Sequence, residues 1–122
     1  MVLVDTSVWI ALYRGRSTEV GQRLWAMVVR NEAAVCGQVW VEFIGGFRRT
    51  TDRRRFERWL RAFPFLETPR PAFERAGRLL AGYPRLGAGD AIIAATAITN
   101  RAALLTLDGA FAALAGEGLE LL

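Results

Sequence analysis

Short apolar runs alternate with stretches of helical periodicity along this chain. Strands are predicted within VLVD, NEAAVCG, FPFLET and AALLTLD, and at residues 119–122. Helices are predicted between them, over residues 6–13, 18–30, from 38 onward, 51–63, 71–83, 91–100 and directly after Asp108. Ser17 or Thr18 is expected to cap the second helix. Because strands and helices alternate throughout, the pattern predicts a single α/β domain over residues 1–122, built on a mostly parallel sheet.

The residue types that are missing restrict the chemistry. The sequence contains no histidine and no lysine, so all sixteen basic residues are arginine. This excludes Ser-His-Asp triads, histidine metal sites, P-loops and Schiff-base lysines. Cys36 is the only cysteine, which excludes an intramolecular disulfide and a multi-cysteine zinc site, and we expect it to be buried and inert. An enzyme with this composition relies on carboxylates, hydroxyls, arginines and a bound metal ion.

Hydropathy gives no indication of a membrane-bound protein. No apolar run reaches the roughly eighteen residues that a membrane span needs. The first residues, MVLVDTSVW, lack the basic start and the cleavage site of a signal peptide. We therefore expect a cytoplasmic protein with no membrane partner.

Three aspartates occupy similar positions in this pattern. Asp5 and Asp108 each end an apolar strand and open a helix, and Asp90 follows a glycine loop as the expected N-cap of a helix that begins at Ala91. Ligands of open α/β sheets bind beyond the carboxyl ends of the strands, so the three side chains are expected to converge at one edge. N-capping, which contributes about 1 kcal/mol per cap, also explains each aspartate. The two interpretations are compatible, because a capping aspartate can also bind a ligand.

Convergence of these aspartates requires a counter-ion. Two carboxylates about 4 Å apart repel each other by roughly 4 kcal/mol at an effective dielectric of about 20, which exceeds the stabilisation from one cap. Hard divalent cations prefer oxygen ligands, and Mg²⁺ keeps several waters in its shell. The site therefore suits Mg²⁺ or Mn²⁺, whereas zinc normally requires histidine or cysteine.

Four acidic motifs follow one another along the chain: VDTSVWI at 4–10, VEFIGG at 41–46, GDAIIAATA at 89–97 and LLTLD at 104–108. They resemble the successive motifs of PIN-domain ribonucleases, and their order and spacing resemble VapC-type toxins of toxin–antitoxin pairs over nearly the whole chain. The resemblance implies a PIN-like domain with a parallel five-stranded sheet flanked by helices. It also implies four catalytic acids, Asp5, Glu42, Asp90 and Asp108.

The resemblance further implies a role for each side chain at this site. The three aspartates are expected to bind the metal ion directly or through water, and Glu42 is expected to be a further ligand or to orient the attacking water. The hydroxyls of Thr6 and Thr106 are expected to support the carboxylates or a metal-bound water. Members of the family often carry a second acid two residues after the aspartate of the fourth motif, where this chain has Ala110. Asp108 then acts alone, and the choice between one and two metals is open.

The function implied by the resemblance is a Mg²⁺-dependent endoribonuclease that hydrolyses RNA phosphodiester bonds as the toxin of an antitoxin-controlled pair. A PIN nuclease in RNA processing without a toxin role is one alternative. A catalytically silent domain that binds RNA or protein is another. The expected partners are an RNA substrate, a cognate antitoxin protein and a second copy of the chain in a homodimer.

The positive charge is concentrated in one segment. Residues 48–61 contain seven arginines against Asp52 and Glu57, whereas the whole chain has a net charge of +4. This segment is the candidate for contact with RNA phosphates, through Arg48, Arg49, Arg53, Arg54 and Arg55. A solvated helix face is the alternative interpretation, and the apolar face of the same helices can serve a dimer or an antitoxin.

Overall fold

Strands and helices alternate in the computed structural model, which describes residues 1–16 and 18–122. The strands are β1 (Val2–Val4), β2 (Ala33–Cys36), β3 (Phe65–Leu66) and β4 (Ala103–Leu105). The helices are α1 (Thr6–Arg14), α2 (Thr18–Val29), α3 (Gly37–Gly45), α4 (Thr50–Leu60), α5 (Arg70–Gly82) and α6 (Ala88–Thr99), followed by a 3₁₀ helix (Gly109–Glu117). The expected cap at Ser17 or at the Thr18 side chain lies outside the described residues.

The described residues form a parallel sheet of four strands, in the order β3-β2-β1-β4. The prediction of a fifth strand at residues 119–122 is wrong. This segment makes a single isolated bridge, between Leu104 and Leu121. Its two backbone hydrogen bonds both involve Leu104, whose N–H donates to the Glu120 oxygen at 2.8 Å and whose oxygen accepts from the Leu122 N–H at 3.0 Å. The segment therefore lies along β4 for one residue only and does not extend the ladder.

Local chain chemistry explains where the helices end. Helix α1 stops at Arg14 because Gly15 takes a left-handed conformation, with φ at 64°, in which a side chain would be strained. Helix α4 ends at Leu60, before the predicted residue 63, and the N–H of Phe63 bonds to the Leu60 oxygen in a tighter turn. Pro64 follows and disfavours helical geometry at the residue before it.

The central strands are buried. Every residue of β1, β2 and β4 is buried, which is typical of a parallel sheet that is covered on both faces. Cys36, at the end of β2, is inaccessible as expected, and burial raises the pKa of its thiol. None of the helices in the described part of the chain is long and apolar enough to cross a bilayer.

An aromatic cluster fixes the position of α1 against the sheet and the neighbouring helices. Trp9 is fully buried, and its ring lies 5.4 Å from the ring of Trp59 and 5.2 Å from that of Phe63, both in edge-to-face arrangements. The Trp9 indole N–H donates to the backbone oxygen of Val4 at 3.1 Å. Because Val4 is the last residue of β1, this contact also fixes the residue that follows, Asp5.

We expect Trp9→Ala to lower the free energy of unfolding by about 3–5 kcal/mol, since it removes a large buried ring and leaves a cavity. Trp25→Ala is the matched control, because Trp25 is 64% exposed and its loss should change stability by less than about 0.5 kcal/mol. Urea unfolding measures both values. Equal losses from the two tryptophans would show that Trp9 does not hold α1 in place.

Candidate active site

Asp5 is held between the start of α1 and the end of β4. It caps α1, as predicted, and is only 4% exposed. One of its oxygens, Oδ2, accepts from the Ser7 hydroxyl at 2.7 Å, from the Thr106 hydroxyl at 2.8 Å and from the Ser7 N–H at 3.4 Å. Three donors to a single oxygen fix the orientation of the carboxylate and leave the other oxygen, Oδ1, without a donor.

Asp108 is connected to Asp5 through Thr106. Strand β4 already ends at Leu105, so Asp108 does not end the strand directly as predicted, but it does cap the following 3₁₀ helix. Its Oδ1 accepts from the Ala110 N–H at 2.9 Å, and its own N–H donates to the Thr106 hydroxyl oxygen at 2.9 Å. The Thr106 hydroxyl thus bonds the Asp5 carboxylate and the Asp108 backbone, and its role in the reaction stays a prediction.

Glu42 is positioned by α1 and by its own helix, α3. Its Oε1 accepts from the Thr6 hydroxyl at 2.6 Å, and its Oε2 accepts from the Gln38 amide at 3.0 Å. Gly89 of α6 approaches this carboxylate so closely that a Cβ at position 89 would collide with Oε2. Glu42 therefore connects α1, α3 and the first turn of α6, and the role of Thr6 in the reaction stays a prediction.

Asp90 lies in the first turn of α6 and does not cap it. The N-cap is Gly87 and the helix begins at Ala88, so the predicted helix start at Ala91 is wrong. The N–H of Ala91 already bonds to the Gly87 oxygen at 3.0 Å. An aspartate is favourable both as a cap and in the first turn, where it interacts with the helix dipole, so the sequence alone did not separate the two positions.

The charges of the other three acids act on Asp90. Partial burial, together with the charges of Asp108, Asp5 and Glu42, raises the pKa of Asp90 from 3.8 to about 6. The helix dipole acts in the opposite direction, by about 0.3–1 kcal/mol, and is outweighed. The repulsion expected from converging carboxylates is therefore present at the edge where the sheet ends.

The three aspartates retain oxygens that are free for a ligand. In the described residues, no hydrogen bond reaches Oδ1 of Asp5, Oδ2 of Asp108 or either oxygen of Asp90. Both oxygens of Glu42 accept hydrogen bonds. No described buried side-chain oxygen lacks a partner, so the free oxygen of Asp5 reaches solvent. Hard oxygen donors with uncompensated charge are the donor set that suits Mg²⁺ or Mn²⁺.

The side chains are not arranged as a closed set of direct ligands. Within residues 1–16 and 18–122, no group of three or more acidic, cysteine or histidine side chains is placed to hold a metal ion. Simultaneous direct coordination by the three aspartates is thus absent from this arrangement. Mg²⁺ in proteins is usually bound by one or two carboxylates and keeps several waters, and the present geometry fits that mode, with water reaching the remaining acids.

Two side chains of this network were not predicted from the sequence. The Ser7 hydroxyl donates to Asp5 and accepts from the N–H of Leu107 at 3.0 Å, so it ties α1 to the segment after β4. Gln38 holds Glu42. The sequence does indicate this contact, because Gln38 and Glu42 are four residues apart on the same polar helix face, a spacing at which side chains contact each other. One partner of Ser7, Leu107, lies far away along the chain, and no local pattern indicates that contact.

The arginines predicted to contact RNA are all exposed. Arg53 forms an ion pair with Glu57 at 3.3 Å, and Arg55 pairs with Asp52 at 3.9 Å and lies over the ring of Phe56. In the described residues, the other three, Arg48, Arg49 and Arg54, have no ion pair. These three are therefore free to bind phosphate, and contact with RNA stays a prediction.

Comparison with known proteins agrees with this geometry. The model of the PIN domain family matches residues 2–117. Ribonuclease VapC10 of Mycobacterium tuberculosis is 36% identical over 114 residues, which cover 88% of this chain and 83% of that protein. A chain in the structure of a toxin–antitoxin complex from Klebsiella pneumoniae superposes with a TM-score of 0.82 at 29% identity, covering 100% of this chain and 96% of its own.

A more distant structure shares the fold. VapBC2 from Rickettsia felis, solved with a DNA fragment from its promoter, superposes with a TM-score of 0.78 at 16% identity, over 100% of this chain and 98% of that one. The match extends over the whole chain although few residues are identical. The fold, the sequence match over residues 2–117 and the VapC relative agree, and the chain belongs to the PIN-domain family, in its VapC-type branch.

Proposed function

We propose that this chain is an endoribonuclease that uses Mg²⁺, or Mn²⁺ in its place, to hydrolyse RNA phosphodiester bonds. The observation that carries the proposal is the division of the four acids into three aspartates with free oxygens and one fully hydrogen-bonded glutamate. The ribonuclease name of the VapC relative supports it. An RNA phosphodiester is itself anionic, so a bound cation offsets its repulsion by these acids.

The residues of the site have separate tasks in this reaction. Mg²⁺, when bound, supplies positive charge to the phosphate and lowers the pKa of a coordinated water. The free oxygens of Asp5, Asp90 and Asp108 would hold the ion, directly or through water. Thr106 fixes the Asp5 carboxylate and the backbone N–H of Asp108 through one hydroxyl. Glu42 is fixed by its two donors and retains lone pairs, with which it accepts a proton or hydrogen bond from the attacking water.

We further propose that the protein acts in the cytoplasm as the toxin of a type II toxin–antitoxin pair. The structural relative at 29% identity comes from a toxin–antitoxin complex, which supports an antitoxin partner for this chain. A homodimer is proposed alongside. A PIN nuclease in RNA processing is the alternative within the same chemistry, and a small antitoxin gene beside this one would distinguish the toxin from it. A catalytically silent domain is the remaining alternative, which the absence of any cleavage would favour.

Cleavage of RNA should require both the metal ion and Asp90. We expect the wild-type protein to cleave RNA with Mg²⁺. EDTA, which removes the ion, and Asp90→Asn, which removes part of the ion's binding site, should each reduce the rate by at least about 100-fold. Gel assays on labelled RNA measure the rates. Asp52→Asn is the matched control, because Asp52 lies on α4 and bonds to the Tyr13 hydroxyl, and it should keep the wild-type rate. Metal-independent cleavage at the wild-type rate would refute the proposal.

The raised pKa of Asp90 predicts a pH-dependent stability of the metal-free protein. The folded state binds the Asp90 proton more tightly than the unfolded state does. The bound proton therefore stabilises the folded protein below about pH 4, and this stabilisation is lost as the pH rises through about 6. In EDTA, Asp90→Asn should therefore be more stable than wild type at pH 7.5, by about 1 kcal/mol after discounting for solvent screening. Urea unfolding across this range measures the difference, which should vanish near pH 4. A pH-independent difference would contradict the assignment.

The unpaired arginines near α4 should contribute to RNA affinity. We expect replacement of Arg48, Arg49 and Arg54 by glutamine to weaken binding of single-stranded RNA and to reduce the slope of log K against log salt by about 0.7 for each phosphate that is no longer neutralised. Fluorescence anisotropy at several salt concentrations measures this slope in EDTA. Arg30→Gln is the control, since Arg30 is paired with Glu32 at 3.2 Å. An unchanged slope in the triple variant would assign these arginines to solvation or protein contact.

A further inference from the structure

A cavity lies beside the acidic site and has no role in the reaction described above. It has a volume of about 500 Å³, within the range of roughly 300–1,000 Å³ typical of small-molecule sites. Its walls are residues 82–86 of the loop between α5 and α6 and the 3₁₀-helix residues Gly109, Ala110, Ala113 and Leu114. We call it the Tyr83 cavity, after the aromatic residue in its wall.

The Tyr83 cavity opens between the two chain segments that carry Asp90 and Asp108. Ala110 lines the cavity, and its N–H is the donor to Asp108 at 2.9 Å. On the opposite wall, Leu86 directly precedes Gly87, the N-cap of the helix that bears Asp90. The two walls therefore belong to the segments that carry Asp108 and Asp90, which suits the cavity to a neighbouring nucleotide unit of the same substrate.

The ring of Tyr83 is held in a fixed position. Its hydroxyl donates to Oε1 of Glu117, at the far end of the 3₁₀ helix, at 2.8 Å. The ring is partly buried and packs against the hydrophobic core. Tyr83 also lines a second cavity, of about 410 Å³, together with Arg75 and Arg78 of α5. Glu117 lines this second cavity as well, so Tyr83 lies between a mostly apolar cavity and one that carries two arginines and the glutamate that bonds its hydroxyl.

The charge along this path suits a polyanion. Arg75, Arg78 and Arg85 line one or other of the two cavities. In the part of the chain that the structure describes, none of the three forms an ion pair with an acidic side chain. Arginines without acidic partners beside an aromatic ring are the combination with which proteins hold single-stranded nucleic acid, by contacts to the phosphates and stacking on the bases.

We propose that the Tyr83 cavity binds an unpaired nucleobase of the RNA, next to the phosphate that is cleaved, with the base stacked on Tyr83. The adjoining phosphates then run past Arg85 towards Arg75 and Arg78. This inference rests on the proposed ribonuclease function. Because every base has an aromatic face, stacking of this kind selects for an unpaired nucleotide and not for one particular base.

The test measures binding of a short unstructured RNA, and of the same RNA lacking one base, by fluorescence anisotropy in EDTA. Tyr83→Ala should weaken binding of the complete RNA at least about fivefold and leave the affinity for the abasic RNA unchanged. Tyr83→Phe should bind both RNAs as the wild type does, since it keeps the ring. Phe73→Ala is the matched control, an exposed aromatic residue on α5 outside the cavity, and it should bind both RNAs as wild type.

Other results would overturn the stacking of a base on Tyr83. The inference is overturned if Tyr83→Ala binds the complete RNA with wild-type affinity, or if it loses equal affinity for both RNAs. Neither result is expected from stacking of a base on the ring. The proposed function survives this if the wild type still cleaves RNA with Mg²⁺. If the wild type neither binds nor cleaves RNA, the proposed function itself fails. Loss of antitoxin binding in Tyr83→Ala with unchanged RNA affinity would reassign the cavity to a protein segment and overturn the inference.

Discussion

Repulsion among four carboxylates at the edge of one sheet is the constraint on which the rest of this molecule depends. The acids come from four separate parts of the chain, and burial, together with the charges of Asp108, Asp5 and Glu42, raises the pKa of Asp90. Hydroxyl and amide donors from Thr6, Ser7, Gln38 and Thr106 offset part of the repulsion by fixing Asp5 and Glu42. A stiff buried sheet, held by the cluster around Trp9, prevents the acids from moving apart.

The sequence predicted the parts of this arrangement that depend on local chemistry. The alternating elements followed from the apolar pattern, and the PIN fold followed from the resemblance of the four acidic motifs to that family. The assignment of Asp5, Glu42, Asp90 and Asp108 to one catalytic site stays a prediction of the same resemblance. The caps at Asp5 and Asp108 were predicted correctly, because aspartate is among the preferred N-cap residues and each lies directly before a helix. The local structure around a residue can largely be predicted from the residues next to it in the sequence.

The errors arose where the outcome depends on distant parts of the chain. Residues 119–122 are apolar enough for a strand, but a ladder needs a partner in register, and only Leu104 supplies one. Asp90 was predicted as the N-cap of α6 but lies in its first turn, and where the helix starts depends on how α6 packs against α3. The contribution of Ser7 was not predicted, because its hydroxyl also contacts Thr106 and Leu107, which lie about a hundred residues away in the sequence. Pairings of this kind are properties of the tertiary structure.

Gly89 shows how the site restricts the sequence around it. An alanine at this helical position would be the better helix former, by about 1 kcal/mol, yet its methyl group would displace the Glu42 carboxylate. At Gly77 in α5 nothing lies within 4 Å of such a methyl group. The same exchange is therefore harmless in one helix and disruptive in the other, so selection for thermostability and selection for catalysis act in opposite directions at residue 89.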